Sequence, residues 1–193
     1  MSIADPPVPA VAGPTNLEDL LALEDGVERD IINGEVMERP MTRRNQWHGL
    51  TESWIAHLLW GWLETLPSPR GKIYSGEIGF RLSNVPVTNL GVDVAYASAE
   101  LVAATPKRAS FFDGPPVLAV EILSTSDRHE DVVKKVGLYL EAGTVVWVVD
   151  PDFRTMTVHR PGEPTRALDV SHELTGDPEL PGFRVRVADV FPA

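Results

Sequence analysis

The chain has 193 residues, 43% apolar and 23% charged, enough to build a sizeable core and to exclude wholesale disorder. Twenty-eight acidic residues against 17 Lys and Arg leave a net charge of −11, which argues against a protein that coats nucleic acid with its whole surface but allows a local basic groove. The absence of Cys removes disulfide frameworks, zinc ribbons and thiol nucleophiles together.

The opening MSIADPPVPAVAGPT has no basic start and no unbroken apolar stretch, so it does not read as a signal peptide. Its prolines make residues 1–14 a flexible arm ahead of a single domain, 15–193. No segment approaches the roughly 18 apolar residues of a membrane span, so a soluble, cytoplasmic protein is expected. Thr15 and Glu18 have capping-box spacing, and Leu17, Leu20, Leu21 and Leu23 predict a helix over 16–24. RDII and EVME flank Asn33-Gly34, a strong hairpin signal because this pair accepts positive φ at both turn positions.

Trp47, Leu50, Trp54, Leu58 and Trp62 predict an amphipathic helix over 46–65, stopped by Pro67 and Pro69; its apolar stripe suits a core or a homodimer contact. Tyr74, Ile78, Phe80 and Leu82 suggest a strand over 72–82. Residues 92–97 and 117–123 are nearly continuous apolar runs, as strands covered on both faces should be. Asp127 with Glu130 resembles another cap for a helix over 128–142, which Gly143 ends. Residues 145–149 form a buried strand; 155–160, 165–169 and a segment after Pro181-Gly182-Phe183 give shorter ones. Strand 117–123, helix 128–142 and strand 144–149 suit a right-handed crossover, so a mixed α/β or α+β domain with a central sheet is expected.

Two carboxylates stand inside apolar strands: Asp93 between Val92 and Val94, and Glu121 between Val120 and Ile122. A buried, unpaired carboxylate costs several kcal/mol, so each needs a proton or a cation. A shared divalent metal, Mg²⁺ or Mn²⁺, would supply one; a salt bridge or exposure at a strand end is the plainer alternative for either acid alone. Lys135 lies four residues before Tyr139 on the helix after Glu121, placed to reach back over the carboxylates, although Lys134 and Lys135 also read as ordinary solvated charges. No HExxH spacing connects the histidines, and Ser124 and Ser126 lie outside any G-x-S-x-G elbow; Ser124 reads better as a loop or cap residue.

The run VEILSTSDRHEDVVKKVGLYLEAGTVVWVVDP, with Glu121, Ser124, Lys135, Tyr139, Gly143, Trp147 and Asp150-Pro151, resembles the Uma2 family (DUF820) of the PD-(D/E)XK nuclease superfamily. The resemblance extends to IINGEVMERP, His48, GVDVAYAS and LPGFRVRVADVF, roughly residues 16 to 191. It implies a restriction-endonuclease-like mixed sheet flanked by helices, Asp93 and Glu121 as the metal-binding acids, and Lys135 as a catalytic lysine moved from strand to helix, since Leu123 occupies the literal E-x-K position. Glu35 and His48 match recurring family positions and are implied to complete the site. Val92, Thr125 and Asn33 replace the Pro, Pro and Asp that the family pattern expects, and none of them removes a ligand.

The resulting expectation is a Mg²⁺- or Mn²⁺-dependent endonuclease acting on nucleic acid, with DNA the first choice. Substrate contacts are expected from Arg43, Arg44, Lys72, Arg81, Lys107, Arg108 and Arg128. The alternative is a non-catalytic interaction or regulatory protein that keeps the fold, which the net charge favours and the intact Asp93, Glu121, Lys135 set opposes.

Overall fold

A computed structural model describes residues 27–40, 45–125 and 127–192. The expected helix 16–24 therefore lies outside the described residues, as do Arg43 and Arg44. The strands are β1 (Val27–Ile32), β2 (Glu35–Pro40), β3 (Lys72–Asn84), β4 (Val87–Ala97), β5 (Phe111–Phe112), β6 (Leu118–Ile122), β7 (Val145–Asp150), β8 (Thr155–His159), β9 (Arg166–Asp169), β10 (Glu173–Thr175) and β11 (Arg184–Arg186). The α-helices are α1 (Gln46–Glu64), α2 (Ala99–Ala104) and α3 (His129–Glu141).

The main sheet runs β2-β1-β4-β6-β7-β8-β9, with β3 also paired to β4 and β5 paired to β3. Asn33 and Gly34 take φ of 53° and 83°, so the Asn-Gly turn closes the β1–β2 hairpin as the sequence predicts. Strands β6 and β7 are parallel neighbours joined by α3. Gly143, at φ 84°, ends α3: its N–H donates to the Leu140 carbonyl and the Thr144 N–H to the Tyr139 carbonyl. This double bond pattern satisfies the last carbonyls and fixes the turn that carries Tyr139. At the other end of α3 the expected cap is absent. Arg128 is the N-cap residue and makes no side-chain cap, while Asp127 accepts the Ser124 N–H (2.7 Å) and shapes the loop after β6.

Strand β4 decides where the site forms. One edge pairs along its length with β3; the other is shared by β1, at Ile31↔Asn89, and β6, from Val94↔Val120 to Tyr96↔Leu118. Between these two partners the sheet forks. Residues 91–93 of β4 face the gap, where the ladder cannot satisfy their backbone groups.

Each face of the sheet carries a core. Ile55, Leu59, Trp62 and Leu63 of α1 pack on Val94, Val120 and Trp147, joined by Leu174, Leu180 and Phe183 from the C-terminal segment. Val136 and Tyr139 of α3 pack on Ala95, Ala119, Val146 and Val148 of the opposite face. Helix α1 begins with Asn45 accepting the His48 N–H (2.8 Å) and ends with the Arg70 guanidinium donating to the Leu63, Glu64 and Leu66 carbonyls.

The buried face of α1 is not the one the aromatic spacing suggests. His48, Thr51, Ile55, Leu59, Trp62 and Leu63 are buried, whereas Trp47, Leu50 and Trp54 are exposed at 51%, 39% and 36%. Leu58, Trp60 and Gly61 make the second half of this helix apolar around most of its circumference, so periodicity alone cannot orient it. Burial predicts the energetics. Leu59→Ala should lower unfolding free energy by about 2–5 kcal/mol and Leu50→Ala by less than about 1 kcal/mol, read from urea denaturation midpoints at constant m. Equal losses would refute the orientation of α1.

Candidate active site

The fork brings together acids from three strands. Asp30 of β1 accepts the Gly91 N–H at 2.9 Å, and Asp93 of β4 accepts the Ile122 N–H at 2.7 Å through Oδ2. Glu121 of β6 meets two donors from α3: Lys135 Nζ lies 3.3 and 3.2 Å from its two oxygens, and the Tyr139 hydroxyl 3.1 Å from Oε1. Lys135 also donates to the Gly91 carbonyl at 2.9 Å and stands 3.9 Å from Asp30 Oδ2. Side chains thus satisfy both backbone groups of Gly91. The i, i+4 spacing of Lys135 and Tyr139 puts both on the buried side of α3, while Lys134 is exposed.

These residues open into a cleft of about 350 Å³. Among the described residues that line it are Asp30, Glu38, Glu77, Asp93, Glu121, Asp127 and Asp131, against Arg128, Lys134 and Lys135. Glu77 reaches the cleft through a bulge in β3: pairing with β4 slips between Ser75 and Ile78, and Gly76 and Glu77 take φ of 95° and 57°. Gly91 leaves room for it. A Cβ at that position would stand 2.8 Å from Glu77 Oε2 and 3.9 Å from Asp30 Oδ1.

Behind Asp93, on the α1 side, lies His48. Its Nε2 is 3.5 Å from Asp93 Oδ1 and its Nδ1 is 3.9 Å from Glu52 Oε2. One ligand atom from each of His48, Glu52 and Asp93 lies within 4.8 Å of the others, a spacing able to hold a metal ion.

Burial dominates the electrostatics. It pushes the Glu121 carboxyl up to about 7; Lys135 pulls the other way, and Asp93 and Asp30 add to the rise. The Tyr139 hydroxyl is likewise raised well above its ordinary value, first by burial and then by Glu121, so it stays protonated and serves as a donor.

The sequence-derived candidates separate clearly. Asp93, Glu121, Lys135 and His48 converge; Glu35 is exposed beside the hairpin turn and does not line the cleft. Of the expected substrate contacts that are described, Arg128 lines the cleft; Lys72, Arg81, Lys107 and Arg108 do not. Arg81 instead pairs with Asp113 and lies over the Phe111 ring. Asp30, Glu52 and Glu77 are additions from the structure. Asp30 carried a weaker signal: it abuts Ile31-Ile32 but follows Arg29, so it is not enclosed by apolar neighbours as Asp93 and Glu121 are.

A raised Glu121 pKa fixes a sign. The metal-free folded protein holds a proton up to about 7 that the unfolded chain releases near its ordinary 4.5. The penalty is absent below the unfolded pKa, grows between the two values and levels off above the folded one, reaching on the order of 3 kcal/mol. In EDTA, the stability of the parent relative to Glu121→Gln should therefore fall as pH rises from about 4.5 to 7. Chemical denaturation across that range checks this; a flat or rising difference contradicts it.

The geometry agrees with what the chain resembles. No curated protein matches it. A solved structure from Anabaena variabilis ATCC 29413, described as "a putative nuclease belonging to DUF820", superposes with a TM-score of 0.71 at 19% identity, covering 84% of this chain and 89% of that one. The two share a fold. The sequence profile of the Uma2 family, described as "Putative restriction endonuclease", matches residues 17–188, so the chain belongs to the Uma2 family.

Proposed function

We propose that this protein is a divalent-cation-dependent endonuclease that hydrolyses phosphodiester bonds, with DNA as substrate. The supporting observation is the fork itself: Glu121 and buried Asp30 meet at the ammonium of Lys135, and buried Asp93 lines the same cleft. The donor set fits a hard divalent cation, because clustered carboxylate oxygens suit Mg²⁺ or Mn²⁺ and burial leaves Glu121 poorly stabilised as an anion. Asp93 and Glu121 would hold it; when bound, it supplies a Lewis acid for the scissile phosphate and an acidified water.

The remaining roles fall to the chain's own residues. Lys135 is held by Gly91 and Glu121 at the cleft wall, where its ammonium can offset charge that builds on the phosphate in the transition state. Tyr139 restrains the Glu121 carboxylate by donating to it. Arg128 and Lys134 stand on the rim, placed for flanking phosphates. Glu35 has no part in this reading.

A second reading, a non-catalytic interaction or regulatory protein that keeps the fold, draws support from the net charge of −11 and the acidic lining of the cleft. A panel of duplex and single-stranded nucleic acids with Mg²⁺ or Mn²⁺ separates the two. Lys135→Ala should cut at least about 10²-fold more slowly than the parent while folding normally, and Lys134→Ala should stay within about tenfold. Asp93→Ala and Glu121→Ala should be inactive. If the parent cuts nothing with either metal, the non-catalytic reading takes its place; if Lys135→Ala cuts like the parent, the lysine's role is wrong.

A further inference from the structure

We infer that His48, Glu52 and Asp93 form a mixed nitrogen–oxygen cation site that selects a first-row transition ion over Mg²⁺. This rests on the divalent-cation reading above and goes beyond it, because the carboxylates of the cleft alone would favour no such selection.

The observations are geometric. Asp93 sends its two oxygens opposite ways: Oδ2 to the Ile122 N–H inside the fork and Oδ1 toward His48 on the α1 face. His48 and Glu52 are four residues apart in α1, so their side chains leave the same face of the helix. The His48 side chain is fully enclosed, while that of Glu52 retains 19% exposure and gives the group its contact with solvent. One ligand atom from each fits within 4.8 Å, whereas metal bonds of about 2.0–2.2 Å set ligand atoms no more than about 4.4 Å apart. Small side-chain adjustments close that difference. An imidazole and a threonine, His48 and Thr51, occupy the otherwise apolar buried face of α1, where hydrophobic residues would serve a purely structural helix better.

The chemistry follows from the donors. Mg²⁺ dehydrates reluctantly and takes oxygen ligands, whereas first-row transition ions accept imidazole nitrogen readily. Mn²⁺ is the weakest binder of that series, so a preference seen for Mn²⁺ sets a lower bound for the others. It is also paramagnetic, which makes it the reporter of choice.

The test uses the full-length protein stripped with EDTA. Calorimetric titration should show Mn²⁺ binding at least about tenfold more tightly than Mg²⁺, and electron spin-echo spectra of the Mn²⁺ complex should show modulation from a directly bound nitrogen. His48→Gln should remove the nitrogen signal and weaken Mn²⁺ at least about tenfold, leaving Mg²⁺ affinity within about twofold. Glu52→Gln, at the part-exposed end of the group, should weaken Mn²⁺ as well and serves if His48→Gln does not fold. Mn²⁺ and Mg²⁺ bound equally, without a nitrogen signal and lost together in Glu121→Gln, would overturn the inference while leaving the nuclease reading intact. No binding of either metal would overturn both. A nitrogen signal lost in His48→Gln, in a protein that cuts no nucleic acid, would uphold this site and remove the nuclease reading.

Discussion

The structure depends on a fork in its sheet. Strand β4 must serve β1 and β6 along one edge, and where the two separate, the N–H and carbonyl of Gly91 and the N–H of Ile122 lose ladder partners. An unsatisfied buried backbone group costs on the order of 1–3 kcal/mol, so something must bond them. Asp30 and Asp93 accept the two N–H groups, and Lys135 donates to the carbonyl. The acids therefore serve the backbone of the fork, apart from the chemistry proposed for them. A side chain at position 91 would have to displace the Glu77 carboxylate from this part of the cleft.

Bonding the fork in this way concentrates negative charge. Asp30 and Asp93 are buried and Glu121 is largely so at the inner end of the cleft, and Lys135 balances only part of their charge. Burial disfavours the charged form of Glu121, and Asp93 and Asp30 add to a rise in its pKa that Lys135 only partly opposes. A folded chain carrying such a burden gains from any cation that binds the native state alone. Substitution of these acids consequently affects folding as well as chemistry, which is why Lys134 and Lys135, adjacent on one helix but facing different surroundings, give a cleaner comparison than the carboxylates do.

Much of this was readable from the chain. Asp93 and Glu121 announce themselves as charges inside apolar runs, and Lys135 as the partner of Tyr139 at helical spacing. Gly143 marks the end of α3 and Asn33-Gly34 the hairpin, because each demands a backbone conformation few other residues adopt. What escaped depends on distance or on competition. Asp30 earns its role from Gly91, 61 residues away, through a strand pairing that no local pattern encodes. Glu77 reaches the cleft through a bulge that breaks the alternation of β3. The orientation of α1 is hard to read because its exposed side is as aromatic as its buried side, and Asp127 fails to cap α3 because the loop after β6 uses its carboxylate first.

The acidity of the whole chain then takes on a different meaning. A net charge of −11 and a cleft lined mainly by carboxylates would repel a phosphate backbone if the protein met it unaided. The cations that face the cleft sit close together on α3 and its first turn: Arg128 and Lys134 at the rim, Lys135 at the wall. A divalent ion among the carboxylates would offset much of the negative charge of the cleft floor and leave these side chains as its flanks. Substrate attraction would then be local, switched on by the cation and confined to the fork, with the rest of the surface still repulsive. Such an arrangement favours engagement of a few phosphates at the site over coating of a long duplex, because each additional phosphate contact outside the cleft meets negative charge.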